Sequence, residues 1–273
     1  MNFSALSFFA PADAPGAIPL HAVTAEKFSA FEAAQSAEVK NWLAATGFKG
    51  EAGRIVLVPR ADGTLAMAVM GLGKDEDLLA FGTGSERLPA GIYRVASAPS
   101  RYSDAFITLG WALGAYAYRA FKPKKDEGEK KRPLLSMPDS AGVAEAMMMA
   151  DAIALARDLV NAPANHMGPG DLEDQVLRLA ERSGARFGVI EGEDLLGRNY
   201  PLIHAVGASA SAERAPRLIE LVWGDDSAPK VTLVGKGVCF DSGGLNIKPG
   251  SGMATMKKDM GGAAAMIALA RMV

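Results

Sequence analysis

At 273 residues the chain exceeds the roughly 100 to 200 residues of a usual single domain, so two domains are expected, each able to bury a core. Its apolar fraction of 49% and charged fraction of 22% are those of an ordinary globular protein, and a formal net charge of -2 gives no electrostatic reason to expect nucleic acid or an anionic membrane as partner. Cys239 is the only cysteine, which excludes an internal disulfide framework and suits a reducing, cytoplasmic compartment.

The N-terminus, "MNFSALSFFAPADAPGAIPL", has no basic n-region and a short, interrupted apolar run, so it reads as a first strand rather than a signal peptide. "AEKFSAFEAAQSAEVKNWLAAT" is helix-like and stops at Gly47, a suitable residue just past a helix end. Short apolar runs bounded by Gly, Pro or Asp at 54–60, 64–73 and 91–97 predict strands of a covered sheet. In "AFITLGWALGAYAY", 105–118, Phe106, Leu109, Leu113 and Tyr116 recur at helical spacing. That run is too short for the roughly 20 residues a membrane span needs, and Asp104 and Arg119 bracket it. Gly110 and Gly114 therefore predict a helix packed closely on a sheet.

"KPKKDEGEKKRP", 122–133, is charged and stripeless, and reads as a solvated connection. "VAEAMMMADAIALARDLVNAPAN" predicts one long helix with Met148, Ala152, Leu155 and Leu159 on a core face, ending near Asn161 because Pro163 follows. A second helix, 171–184, stops at Gly184. Further strands are predicted at 186–192, 202–209, 217–224 and 230–237. Alternation of this kind implies an α/β protein with a largely parallel sheet.

Several functional signatures fail. A P-loop ending at Gly73-Lys74 would need glycine where Ala68 stands and a hydroxyl where Asp75 stands. A dinucleotide fingerprint from Gly235 breaks at Phe240, and "GASAS" at 207–211 lacks the closing glycine of a nucleophile elbow. His21, His166 and His204 are scattered, and nothing near Cys239 in sequence would lower its pKa, so it reads as a buried core thiol.

What remains is "LVGKGVCFDSGGLNIKPGSGMATMKKDMGGAAAM", 233–266. Lys236 and Asp241 fall near the carboxyl end of a predicted strand, where open α/β sheets bind ligands, and the glycines that follow permit sharp turns. Asp259 stands just before an apolar helix. Carboxylates without cysteine or histidine suit Mg, Mn or Zn, and a lysine joins them as a neutral amine. The same residues also fit a Lys236–Asp241 salt bridge with Asp259 as a helix cap, and composition and spacing do not choose between the two.

"VGKGVCFDSGGLNIKP" followed by "MKKDMGGAAAM" closely resembles the signature of the leucyl aminopeptidase family, metallopeptidases that remove N-terminal residues from peptides. "ARDLVNAPAN" and "PRLIELVWG" extend the similarity upstream, and the N-terminal half resembles the family only loosely. The resemblance implies a macro-like N-terminal α/β domain (1–125), a charged connection and interdomain helix (126–165), and the first part of a metallopeptidase α/β domain with a mainly parallel sheet (166–273). It further implies two divalent ions, Mn or Zn: Lys236 and Asp259 on one of them, Asp241 bridging both. Lys248 would stay charged and polarise the scissile carbonyl, and Met256 would line the pocket for an apolar N-terminal residue. Peptide substrates, a hexamer and a cytoplasmic location come with the same resemblance.

The family's second signature, of the form Asn-Thr-Asp-Ala-Glu-Gly-Arg-Leu, supplies further metal ligands and an Arg that holds bicarbonate as general base. No Asp-x-Glu-x-Arg occurs in this chain. Two ions want roughly four to six ligands each, and Lys236, Asp241 and Asp259 fall short of that. The expectation is an aminopeptidase-like chain with little or no activity of its own. The alternative is a non-catalytic interaction or scaffold protein built on the same fold.

Overall fold

The computed structural model describes residues 3–74, 77–121, 132–242 and 247–273. Most of the charged run predicted as a connection, 122–131, lies outside the described residues, as do Gly243 and Gly244 of the glycine-rich turn. Contacts divide the chain into two units, Asn2–Ala154 and Leu155–Val273.

The first unit is a sheet covered on both faces. After a 3-10 turn at Ala5–Phe8 come β1 (Phe9–Pro11), β2 (Ile18–Thr24), α1 (Phe28–Ala33), α2 (Ala37–Thr46), β3 (Ile55–Pro59), β4 (Leu65–Gly73), α3 (Gly82–Arg87), β5 (Gly91–Ser97), α4 (Asp104–Ala115) and β6 (Pro133–Met137). Strand order is β1-β6-β5-β2-β4-β3, and every pairing is parallel except β3 with β4. The protein is thus mixed α/β with a mainly parallel sheet. β4 shows why both faces are apolar. Alternate residues Ala68, Met70 and Leu72 join a core around Trp111, Tyr93 and Phe81, while Val69 points the other way into a core with Phe28, Leu43 and Phe48.

Local chemistry sets the breaks. The helix expected over 25–46 is two helices, because Ser36 caps a new start by accepting from the Val39 amide, and Gly47 closes α2 in the left-handed region at φ 62°. β6 falls in the stretch predicted as a connection, yet it pairs with β1 and β5. The predicted face of α4 is out of phase: Ile107 and Trp111 are buried and Phe106 is 38% exposed. A helix apolar nearly all round carries no phase information of its own. Gly110 and Gly114 do mark a close approach, but to Leu79 and Gly82 beside and within α3 rather than to a sheet.

The long helix α5 (Ala141–Asn161) ends at the residue that Pro163 dictates. Of its expected core face, Ala152 and Leu159 are fully buried, while Met148 is 42% exposed; Val143, Ala146, Ala150 and Ala154 are buried besides.

The second unit continues with α6 (Pro169–Ser183), β7 (Arg186–Glu191), α7 (Asp194–Gly197), α8 (Pro201–Gly207), β8 (Arg217–Val222), α9 (Gly250–Ala254), a 3-10 segment Met256–Met260 and α10 (Gly261–Met272). α6 buries Leu172, Val176 and Ala180 at i, i+4 and i+8 and closes at Gly184. β7 and β8 pair antiparallel. Two strand predictions are corrected. Residues 202–209 are largely α8, started by Pro201 at its first position, because a short apolar run does not separate strand from helix. Residues 230–237 carry no strand assignment, because a strand requires a ladder partner and none of the described residues supplies one. Among the described residues no helix is long and apolar enough to cross a membrane.

Candidate metal and active site

The segment from Lys236 to Asp259 is held from below by α10. The Ala263 amide donates to the Lys236 carbonyl at 2.9 Å, and Gly235 lies so close that an added Cβ would come within 2.6 Å of the Ala263 Cα. Glycine is therefore required at 235 by close backbone approach. This contact fixes Lys236 beside the helix whose preceding turn carries Asp259.

The predicted residues form two ion pairs. Lys236 Nζ stands 2.9 Å from Asp259 Oδ2. Lys248 Nζ is bonded to Asp241 Oδ2 and donates to the Asp241 backbone carbonyl at 2.9 Å. The Lys236–Asp241 bridge considered from sequence is thus replaced by Lys236–Asp259. The Asp241 carboxyl is held below its ordinary range mainly by the hydrogen bond from Lys248; partial burial opposes this, and the Lys248 and Lys236 charges add to it. Met256 opens the 3-10 segment that carries Asp259 and is partly buried. Cys239 is half-buried and outside the cores, which corrects the expected core thiol, although desolvation still pushes its thiol up to about 11 and keeps it neutral.

Asp259 Oδ2 is buried, and its 2.9 Å approach to Lys236 does not have the alignment of a hydrogen bond. A buried carboxylate oxygen needs a cation; here the Lys236 ammonium meets it without a hydrogen bond's alignment, and a divalent ion could take that place with Lys236 neutral. With two aspartates and a lysine amine on one segment, the donor set fits a hard or borderline divalent ion. Among the described residues no three His, Cys, Asp or Glu side chains gather into one cluster, so the set depends on lysine. Two clefts of about 440 and 340 Å³ lie elsewhere, one lined by Thr24, Lys27, Lys74 and Arg101, the other by Asp171, Glu173, Arg214 and Arg217. The second cleft also carries Asp174 and Glu213, but Arg217 pairs with Glu173, and among the described residues its carboxylates form no cluster of the kind that holds a metal. We place the chemistry at the lysine–aspartate pairs, where carboxylates and amines share one segment.

One contributor escaped the sequence analysis. Lys257 Nζ donates to the Asn161 carbonyl, the last of α5, at 2.6 Å. Its position next to Lys258 and Asp259 gives no hint of so distant a partner.

Comparison with known proteins decides the family. The profile of the cytosol aminopeptidase family catalytic domain matches residues 154–273, and that of the M17 aminopeptidase N-terminal domain matches 18–138. The chain belongs to the cytosol aminopeptidase family. The likeness thus reaches well into the N-terminal half, beyond the loose similarity visible in its motifs.

Among relatives, a probable cytosol aminopeptidase from Leifsonia xyli subsp. xyli is 39% identical over 242 residues, covering 84% of this chain and 48% of its own length. The crystal structure of a cytosol aminopeptidase from Coxiella burnetii superposes with a TM-score of 0.87 at 37% identity, over 97% of this chain and 57% of that one. The bottromycin maturation enzyme BotP, solved in complex with Mn, gives a TM-score of 0.72 at 30% identity, over 94% of this chain and 56% of that one. This cytosol aminopeptidase family member spans about half the length of the relatives it matches.

Proposed function

We propose that this chain carries the metal-binding half of a metalloaminopeptidase site that removes leucine-like N-terminal residues from peptides. The carrying observation is the buried Asp259 Oδ2, set 2.9 Å from Lys236 without an aligned hydrogen bond. Lys236 and Asp259 would hold one divalent ion, and Asp241 would join it to a second. Mn or Zn bound there supplies Lewis-acid polarisation and a water acidic enough to attack an amide near neutral pH.

The chain's own groups do the rest. Lys248 keeps its proton and donates to the carbonyl oxygen as negative charge grows there, an interaction stronger in the transition state than in the ground state. Met256 offers an apolar wall to the N-terminal side chain. The chain alone is weak or inactive, because the ligands and the bicarbonate-holding Arg of the second family signature are unfilled. A cytoplasmic hexamer is the assembly this reading carries with it.

Calorimetry with Mn tests it. Uptake by the purified chain, lost in Asp259→Asn and in Lys236→Met, is the expected result. Absence of uptake would sink the reading. Strong release from leucine p-nitroanilide by the chain alone, abolished by Lys248→Ala, would overturn the expectation of weak activity. A second reading, a non-catalytic interaction protein, is favoured by one observation, the exposed apolar row at Val231, Leu233 and Val234. It requires that no metal bind.

A further inference from the structure

In the first unit, the carboxyl ends of β2, β4 and β5 meet at a crevice. After β2 the chain leaves for α1 and α2, whose Phe28 and Leu43 pack on one face of the sheet with Val69. After β4 and β5 it leaves for α3 and α4, where Phe81, Leu88 and Trp111 pack on the other face with Met70. β2 lies between β4 and β5 and is parallel to both, so neighbouring strands here send their connections to opposite faces. Open α/β sheets bind ligands at such a switch point, because the diverging loops leave a gap beyond the strand ends.

The cleft of about 440 Å³ lies at this point, and each of the three loops brings one cation to it: Lys27 after β2, Lys74 after β4 and Arg101 after β5. Glu26 is the one carboxylate among the described residues that line it. The loops are tied together and shaped locally. The Ala25 amide donates to the Gly73 carbonyl at 2.9 Å, the Thr24 hydroxyl accepts from the Lys27 amide at 3.2 Å, and the Tyr102 amide donates to the Pro99 carbonyl at 3.0 Å. Gly73 has φ 62°, and a Cβ added there would stand 2.8 Å from the Ala52 Cβ, so glycine is needed where the chain turns toward Lys74. Two ammonium groups and a guanidinium around one gap repel one another unless an anion lies among them.

We propose that this crevice is a binding site for a small organic phosphate of nucleotide size. The donors suit a phosphoryl group: a guanidinium offers phosphate oxygens two parallel N–H groups, and the lysines act as point charges. Gly73-Lys74 fails as a P-loop, so the anion is met by side chains from three loops rather than by one glycine-rich turn. A volume of about 440 Å³ falls within the roughly 300–1,000 Å³ of small-molecule sites, more than an inorganic phosphate fills, and leaves room for the organic part. The site belongs wholly to the first unit and does not rest on the aminopeptidase reading.

The test is calorimetry on the full 273-residue chain with ADP, pyrophosphate and adenosine in turn, without added divalent ion. One ADP bound per chain, weaker pyrophosphate binding and no adenosine binding are expected. Lys74→Gln and Arg101→Gln should each weaken ADP binding about tenfold or more, the factor that one lost hydrogen bond to a charged group implies, and the triple variant with Lys27→Gln should abolish it. All three side chains are exposed, so the urea midpoint should not move. Lys230→Gln, which removes an exposed lysine from the second unit, should leave ADP affinity unchanged. Absence of binding by both phosphates, adenosine binding as tightly as ADP, or ADP affinity indifferent to the crevice substitutions would each overturn the proposal. So would an equal loss in Lys230→Gln, which would reduce the effect to net charge, or binding of a single-stranded oligonucleotide with no binding of ADP.

Discussion

Lys236 Nζ and Asp259 Oδ2 stand 2.9 Å apart, the amine mostly exposed and the carboxylate largely covered. An ion pair of this kind contributes about 0.2–1 kcal/mol, too little to explain why a carboxylate oxygen is buried without an aligned donor. Asp259→Asn should therefore change unfolding free energy by less than about 1 kcal/mol while removing Mn uptake. Urea denaturation and calorimetry on the same preparation check both halves. A large loss of stability with metal uptake intact would make Asp259 a structural residue only.

Lys257 and Asp259 share the 3-10 segment Met256–Met260. The Lys257 ammonium caps the carbonyl of Asn161 at 2.6 Å, where the partial negative charge of the α5 C-terminus favours a cation. Lys257→Ala should cost about 1.5–3 kcal/mol, the range for a hydrogen bond made by a charged group. It should also weaken Mn binding by loosening the turn that presents Asp259. Lys257→Arg keeps the charge and should restore most of both, whereas Lys257→Met keeps only the stem and should restore neither. Equal metal affinity in all four proteins would deny Lys257 any positioning role.

The sequence was most legible where a residue's local chemistry decides the backbone. Gly47 and Gly184 end helices in the left-handed region, and Pro163 stops α5 at Asn161. It was least legible where a neighbour decides. The apolar runs at 202–209 and 230–237 look alike on paper, yet one is mostly helix and the other unpaired. The phase of α4 is not legible because its apolar residues surround the axis, so Trp111 rather than Phe106 occupies the core; on α5, Ala152 and Leu159 of the expected face are buried and Met148 is not. At the candidate site, the side chains singled out by the motif stand in two ion pairs, Lys236 with Asp259 and Lys248 with Asp241. Which amine meets which carboxylate depends on α10 approaching Gly235, a contact between residues that no local pattern links.

Gly114 on α4 meets the backbone of Gly82, the first residue of α3. An added Cβ would lie 2.5 Å from the Gly82 Cα, well inside contact distance. Gly114→Ala gains about 1 kcal/mol of helix propensity but forces two backbones apart, an overpacking cost of about 1–3 kcal/mol or more. The net expectation is destabilisation. Gly142→Ala, where the nearest atom is the Ala105 Cβ at 3.9 Å, should instead be neutral or stabilising. Thermal melts of the two variants should move in opposite directions. A shared direction would mean that the α3–α4 contact yields without cost.

His21 on β2 ties acid sensitivity to the first unit. Its Nδ1 lies 2.8 Å from the Ser97 hydroxyl on β5, its ring packs at 5.3 Å from Phe31, and burial lowers its pKa below the ordinary 6.5. The folded protein therefore binds this proton less readily than the unfolded chain. Above pH 6.5 both states are neutral at His21 and it contributes no slope. As pH falls through 6.5 the unfolded chain is protonated first, so stability is lost until the folded-state pKa is passed. Urea midpoints measured from about pH 8 to about pH 5 should fall below 6.5 in the parent chain and fall less in His21→Gln. His166 and His204 remain in both proteins, so the difference between the two curves isolates His21. Superimposable curves would place the acid sensitivity elsewhere.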